Sequence, residues 1–210
     1  MVFSSNQVDV LEDAGFRSGS VETINFGFAP SLFPRADKDG EPALVSVGVD
    51  RGRDYPTLLN AMGETDALLD LYCREQNLQG HPLPTNVSFK GTVPFGEYRR
   101  VLARATAVLV PTRVMAYPTG QSVALEAAGT GAALVLTDTE PMREYFTDET
   151  AMFVPSGDVT AWRDAIQSIS HDRDLRVSLG RRAADLVHSR FTYQHMWSQV
   201  DQLFQARNWV

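Results

Sequence analysis

The sequence offers almost nothing from which a covalent or metal-based framework could be built. It has one cysteine, Cys73, so an internal disulfide is excluded, and its four histidines, His81, His171, His188 and His195, lie far apart without metal-ligand spacing. No metal site is expected. No apolar run approaches the length that crosses a bilayer, and the N-terminal stretch MVFSSNQVDVLEDAG carries acids where a signal peptide carries a basic end. The expectation is a chain with no membrane span and a cytoplasmic location. Basic residues are in deficit, 19 Lys and Arg against 26 acids for a net charge of -7, which excludes the concentrated basic stripe of a nucleic-acid surface. A small anion remains possible wherever a few arginines converge. There is no internal repeat or low-complexity segment, no Walker loop, no G-x-S-x-G elbow and no G-x-G-x-x-G after the first strand. Without that glycine fingerprint, a flavin or nicotinamide domain is the least favoured reading. The D-x-D triplets at Asp37–Asp39 and Asp172–Asp174 follow no strand and read as a turn and a helix start.

What the chain does have is 210 residues with 43% apolar content, ordinary for one or two globular domains. After about residue 40, strand-like and helix-like segments alternate. The apolar runs Ala43–Gly48, Ala67–Tyr72, Asn86–Gly91, Thr106–Thr112, Ala132–Asp138 and Ala151–Pro155 read as strands. Between them, DYPTLLNAM, FGEYRRVLARA, QSVALEAAG, TEPMREYF and DVTAWRDAIQSI have apolar residues at helical spacing. Uninterrupted apolar strands imply a sheet covered on both faces. The fold class is therefore α/β: a Rossmann-like parallel sheet with helices on both faces and, from Asp172 onward, a helical tail. The first forty residues stand outside this alternation and predict a helix over 6–14, a strand over 21–25 and an irregular linker rich in proline.

In a parallel sheet a ligand sits outside the carboxyl ends of the strands, so the loops there are searched for site residues. In GVDRGRD, Arg51 and Arg53 lie between a strand end and a helix start, where fork-shaped guanidiniums suit a diphosphate. Taken alone, two solvated loop arginines are the commoner reading. In YPTGQSVALEAAG, Thr119, Gly120, Gln121 and Ser122 open a helix whose first N–H groups point out of the sheet edge toward any bound phosphate. Glu126 follows about one turn later, among Val123, Ala124, Leu125, Ala127 and Ala128. A carboxylate there suits a vicinal diol such as a ribose; a solvated or helix-dipole glutamate is the alternative, weakened by the apolar neighbours. In KGTVPFGEY, Gly91, Thr92 and Val93 can offer backbone groups to a base edge, although by itself the stretch is an ordinary strand-to-helix turn.

The order of these pieces resembles the C-terminal, donor-binding domain of the GT-B glycosyltransferases, the large retaining family four group, over nearly the whole chain. The resemblance runs through Asn25–Ala29 with Phe33-Pro34, the RDY stretch in Val47–Ala61, Val87–Thr112, GQSVALEA within Gly120–Asp138, Val154–Ile166 and Leu175–Thr192. It implies residues 1–40 as a remnant of an N-terminal domain plus interdomain linker, 41–190 as the nucleotide-sugar domain, and 191–210 as a crossing helix. It also implies that Glu126, the second glutamate of the family's E-x7-E motif, holds the nucleotide ribose, and that the loop before it serves the diphosphate and sugar. Two positions depart from the pattern. Pro118 stands where the motif has its first glutamate, and Val49 where an arginine usually follows the strand-end glycine. The usual phosphate-contacting lysine has no exact equivalent, although Arg53 stands close to its place.

The implied reaction is metal-independent transfer of a glycosyl unit from a nucleoside diphosphate sugar with retained configuration. That donor is the substrate, no cofactor is expected, and the catalytic residues are unknown, being expected in an acceptor domain supplied in cis or in trans. By the same resemblance the chain alone is expected to bind donor without transferring sugar. The alternatives are a non-catalytic nucleotide-sugar-binding module, one subunit of a split enzyme, or a sugar-nucleotide epimerase on the same fold. An apolar stripe on the last helix, Met196, Trp197, Val200, Leu203 and Phe204, predicts either an interdomain contact or self-association.

Overall fold

The computed structural model describes residues 1–207. Its centre is a six-stranded sheet in which every neighbouring pair is parallel: β1 Leu44–Val47, β2 Leu69–Tyr72, β3 Val87–Phe89, β4 Ala107–Val110, β5 Ala133–Thr137 and β6 Met152–Val154, in the order β3-β2-β1-β4-β5-β6. Each of the six strands expected after residue 40 is present, most of them trimmed at their ends. The period-two geometry of a strand sorts side chains into two cores. Val45, Val47, Val108, Val110, Leu134 and Leu136 face one side, under α3 (Phe95–Arg104), α4 (Gln121–Gly129) and α7 (Arg173–Arg190). Leu44, Leu69, Leu71, Leu109, Ala133 and Val135 face the other, under α2 (Tyr55–Met62) and α6 (Val159–His171), where the fully buried Trp162 lies.

Helix starts follow the local chemistry. Asp158 caps α6 through Ala161 N–H, Asp172 caps α7 through Leu175 N–H, and Thr192 caps α8 (Tyr193–Ala206) through His195 N–H. The expected helix over TEPMREYF is a single turn, α5, Glu140–Arg143. Near the N-terminus, α1 forms over Asn6–Asp13, but the expected strand over residues 21–25 does not: Thr23 makes one isolated bridge, to Val2, with no adjacent strand to extend it. Ile24 instead packs with Met196 and Val200 of α8, whereas Trp197 on the same helix is 63% exposed. Residues 208–210, the end of the predicted last helix, lie outside the described residues.

The irregular stretch before the sheet is fastened along α3. Leu32 O accepts from Arg99 Nε at 2.7 Å, and Phe33 packs edge-on against both Phe95 and Tyr98. Farther along, the buried Lys38 donates to Leu102 O and Ala103 O at 2.9 and 2.7 Å, capping the helix's C-terminal carbonyls.

Candidate functional site

The strand order reverses direction between β1 and β4, and their two following loops part there into a cleft of about 530 Å³. One wall is the loop after β1, residues 48–54, and the other is the loop after β4 with the start of α4; Tyr72, Thr92, Val93, Phe95 and Tyr98 close the far end. Among the described residues no group of His, Cys, Asp or Glu is placed to hold a metal ion.

Arg53 forms the floor. It is 3% exposed, and its Nε and Nη1 are fully buried without a hydrogen-bond partner. Its guanidinium packs closely on two glycines: a Cβ on Gly48 would stand 2.4 Å from Arg53 Nε, and one on Gly120 3.0 Å from Nη1. Gly120 also has φ 84°, a left-handed conformation that glycine takes without strain, and it starts α4 with no side chain capping it. The first N–H groups of α4 thus lack side-chain and intrahelical partners beside a cation with two unbonded nitrogens. Burying a charge in this way costs several kcal/mol unless something anionic meets it. Gly48 is held in turn by Tyr55, fully buried, whose hydroxyl donates to Gly48 O at 2.8 Å.

Asp50 ties the two walls together. Its Oδ1 accepts from Gly52 N–H at 2.7 Å and from the Thr119 hydroxyl at 2.8 Å, and the Tyr117 hydroxyl lies 3.1 Å from both carboxylate oxygens. Burial works against ionising Asp50. The bonds from Thr119, Gly52 and Tyr117 and the Arg53 charge outweigh it and hold the carboxyl below its usual range.

At the far end Glu126, partly exposed, accepts a short hydrogen bond at Oε2 from the Tyr98 hydroxyl. Burial pushes the Glu126 carboxyl up and the Tyr98 bond pulls it back; burial, then the Glu126 charge, drives the Tyr98 phenol well above its ordinary value. Tyr98 therefore remains a donor throughout the neutral range.

Of the residues singled out from sequence, Arg53, Thr92, Val93, Thr119, Gly120 and Ser122 line the cleft. Gly91 lies just outside the lining, in a left-handed turn at φ 69°. Arg51 is exposed and outside the lining, so the two guanidiniums do not converge. Gln121 is buried and turned toward the N-terminal segment, donating to Phe3 O at 3.1 Å. Glu126, one turn beyond Ser122, is outside the lining and reaches the cleft only through its bond with Tyr98, which lines it. Pro118 and Val49 both line the cleft. The sequence reading missed Asp50, Tyr55 and Tyr98. Asp50 was visible inside GVDRGRD, but its partners Tyr117 and Thr119 are 67 and 69 residues away, and Tyr98 reads as one more apolar position of an amphipathic helix.

A family model described as glycosyl transferase-like matches residues 56–202. No curated protein sequence matches the chain. Among solved structures, sucrose-phosphate synthase from Thermosynechococcus elongatus superposes with a TM-score of 0.81 at 23% identity, covering 98% of this chain and 57% of that one. Anabaena HepE, solved in complex with UDP and glucose, superposes with a TM-score of 0.81 at 15% identity, covering 98% of this chain and 62% of that one. The C-terminal domain of a group 1 glycosyl transferase, LpcC, from Francisella tularensis gives 0.65 at 17% identity, covering 79% of this chain and 99% of that domain. The chain thus spans about three fifths of the two longer structures, and shares its fold with all three.

Proposed function

Because this chain belongs to the glycosyl transferase-like family, with the fold of the C-terminal half of a GT-B enzyme, we propose that its cleft binds the nucleoside diphosphate of a sugar donor. Arg53 carries the reading: a guanidinium 3% exposed, with two unpartnered nitrogens, on the cleft floor beside an uncapped helix start supports an anionic ligand. The diphosphate lies over Arg53 and the first turn of α4, and the ribose reaches toward Glu126. The base lies against Thr92, Val93 and Phe95. HepE, which has the same fold, has been solved with UDP-glucose, and that supports a nucleotide sugar as the ligand class.

In the complete reaction the bond from the sugar's anomeric carbon to the diphosphate oxygen breaks, and the diphosphate leaves with the electron pair. The acceptor hydroxyl forms the new bond on the same face, and its proton passes to the departing diphosphate. Arg53 and the helix N–H groups act by stabilising the charge that grows on the leaving diphosphate. The acceptor is held by a second domain, in cis or in trans, against which the exposed Trp197 side of α8 packs, so the present chain binds donor without transferring sugar.

Isothermal titration with UDP, GDP, ADP and dTDP, each beside its monophosphate, tests the reading. One diphosphate is expected to bind at least about tenfold tighter than its monophosphate, the worth of one charged hydrogen bond. Equal affinity for the two would contradict the placement of the diphosphate on Arg53, and glycosyl transfer by the isolated chain would contradict the need for a second domain.

A further inference from the structure

The ribose end holds an arrangement that goes beyond the role proposed for Glu126 and rests on that reading. We infer that Tyr98 is a second ribose-binding residue, which with Glu126 forms one pair of hydrogen-bond acceptors for the vicinal diol.

The geometry carries it. The Tyr98 hydroxyl donates a hydrogen bond to Glu126 Oε2, so that oxygen already has a partner. Oε1 has no partner among the described residues and is not among the fully buried unpartnered atoms. Tyr98 lines the cleft, and its phenolic oxygen, with its only proton directed at Glu126, has only lone pairs left to offer. Two acceptors without further partners thus stand together at this end, Tyr98 Oη on the cleft lining and Glu126 Oε1 next to it, just outside the lining. Two neighbouring hydroxyls, each a donor, are the complement of that pair, the 2′-hydroxyl on Tyr98 Oη and the 3′-hydroxyl on Glu126 Oε1. A deoxyribose brings one donor too few and leaves an acceptor unmet.

The ring of Tyr98 is braced to hold this position. Phe33, 2% exposed, meets it at 6.0 Å between centroids with the planes at 78°, and Phe95 lies at 6.2 Å. Such bracing limits the phenol's freedom to swing away from Glu126, so the pair is ordered before the ligand arrives. The burial that keeps Tyr98 protonated keeps the donor and acceptor roles from exchanging.

The test uses the full chain, with whichever of UDP, GDP, ADP and CDP binds tightest and its 2′-deoxy counterpart. Tyr98→Phe keeps the ring and removes only the hydroxyl. It is expected to weaken the ribonucleotide about tenfold and the deoxynucleotide less than about twofold, collapsing the preference between them. In a Glu126→Ala background the same change should have no further effect on that preference. Glu126→Gln, which keeps size and packing, is a second route to the same collapse should the Phe variant fold poorly. A Tyr98→Phe chain that keeps the parent's preference, or that loses both nucleotides equally, overturns the proposal and leaves Tyr98 a packing residue. A parent that binds none of the four diphosphates, or a Glu126→Ala chain that keeps the ribose preference, overturns the reading of the site itself and the proposal with it.

Discussion

The two ends of the cleft deal with charge in opposite ways. At the Arg53 end a cation is buried against two glycines with two nitrogens unmet, whereas at the Glu126 end an anion has a donor already bonded to it. One end holds buried donors with no acceptor; the other holds an acceptor whose first bond is already made. The unmet end is where binding free energy should come from, because the ligand removes a penalty the empty chain already carries. The satisfied end contributes orientation and selectivity, because its groups are held in place and present a fixed pattern to the sugar ring.

The largest effect that can break this contrast is at Arg53. Arg53→Met keeps the volume and removes the buried charge, so nucleoside diphosphate affinity should fall about 100-fold, as expected for two lost charged hydrogen bonds. Unfolding stability in denaturant should rise by about 1–3 kcal/mol. A variant less stable than the parent would show that the guanidinium is already satisfied and that the two ends do not differ. Next is Gly120→Ala, which forces a side chain into a left-handed conformation at φ 84° and sets its Cβ 2.7 Å from Val110 Cγ1. A loss of about 1–2 kcal/mol of stability is expected, together with weaker diphosphate binding but an unchanged ribose preference.

Tyr98→Phe sharpens the comparison from the other side. Here the empty protein should lose stability, by about 1 kcal/mol, because a bond already present is removed; thermal melts without ligand read a sign opposite to that of Arg53→Met. The smallest effect concerns pH. The folded value for Asp50 lies below its unfolded 3.8, so the unfolded chain binds the proton first as pH falls. The stability it contributes is present above pH 3.8 and is lost as pH drops through the lower folded value. Asp50→Asn should flatten that part of the stability profile in chemical denaturation, and an unchanged slope would show that the tie between the walls does not depend on charge.

Much of the fold was readable because β1, β4 and β5 are buried on both faces and therefore appear as continuous apolar runs. The stretch at residues 21–25 was misread for a related reason: alternating apolar residues suit a strand, but Ile24 finds its partners in α8, some 170 residues away, and no strand lies alongside. The glycine-opened start of α4 and Arg53 were legible because a loop between strand and helix has few purposes for such residues. What could not be read is which of two neighbouring arginines turns inward. Asp50 and Tyr98 escaped because their roles are fixed by partners brought together only by the sheet order and the packing of α3 against α4.

The stretch ahead of the sheet behaves mechanically as a splint. It is attached to α3 at three stations, Arg99 to Leu32, the rings of Phe95 and Tyr98 to Phe33, and the last carbonyls to Lys38. A segment joined to a helix at three points along its length has little freedom to move without it. Any pull on this stretch is therefore delivered to the helix that carries Tyr98, and through it to the wall against which the nucleotide would rest.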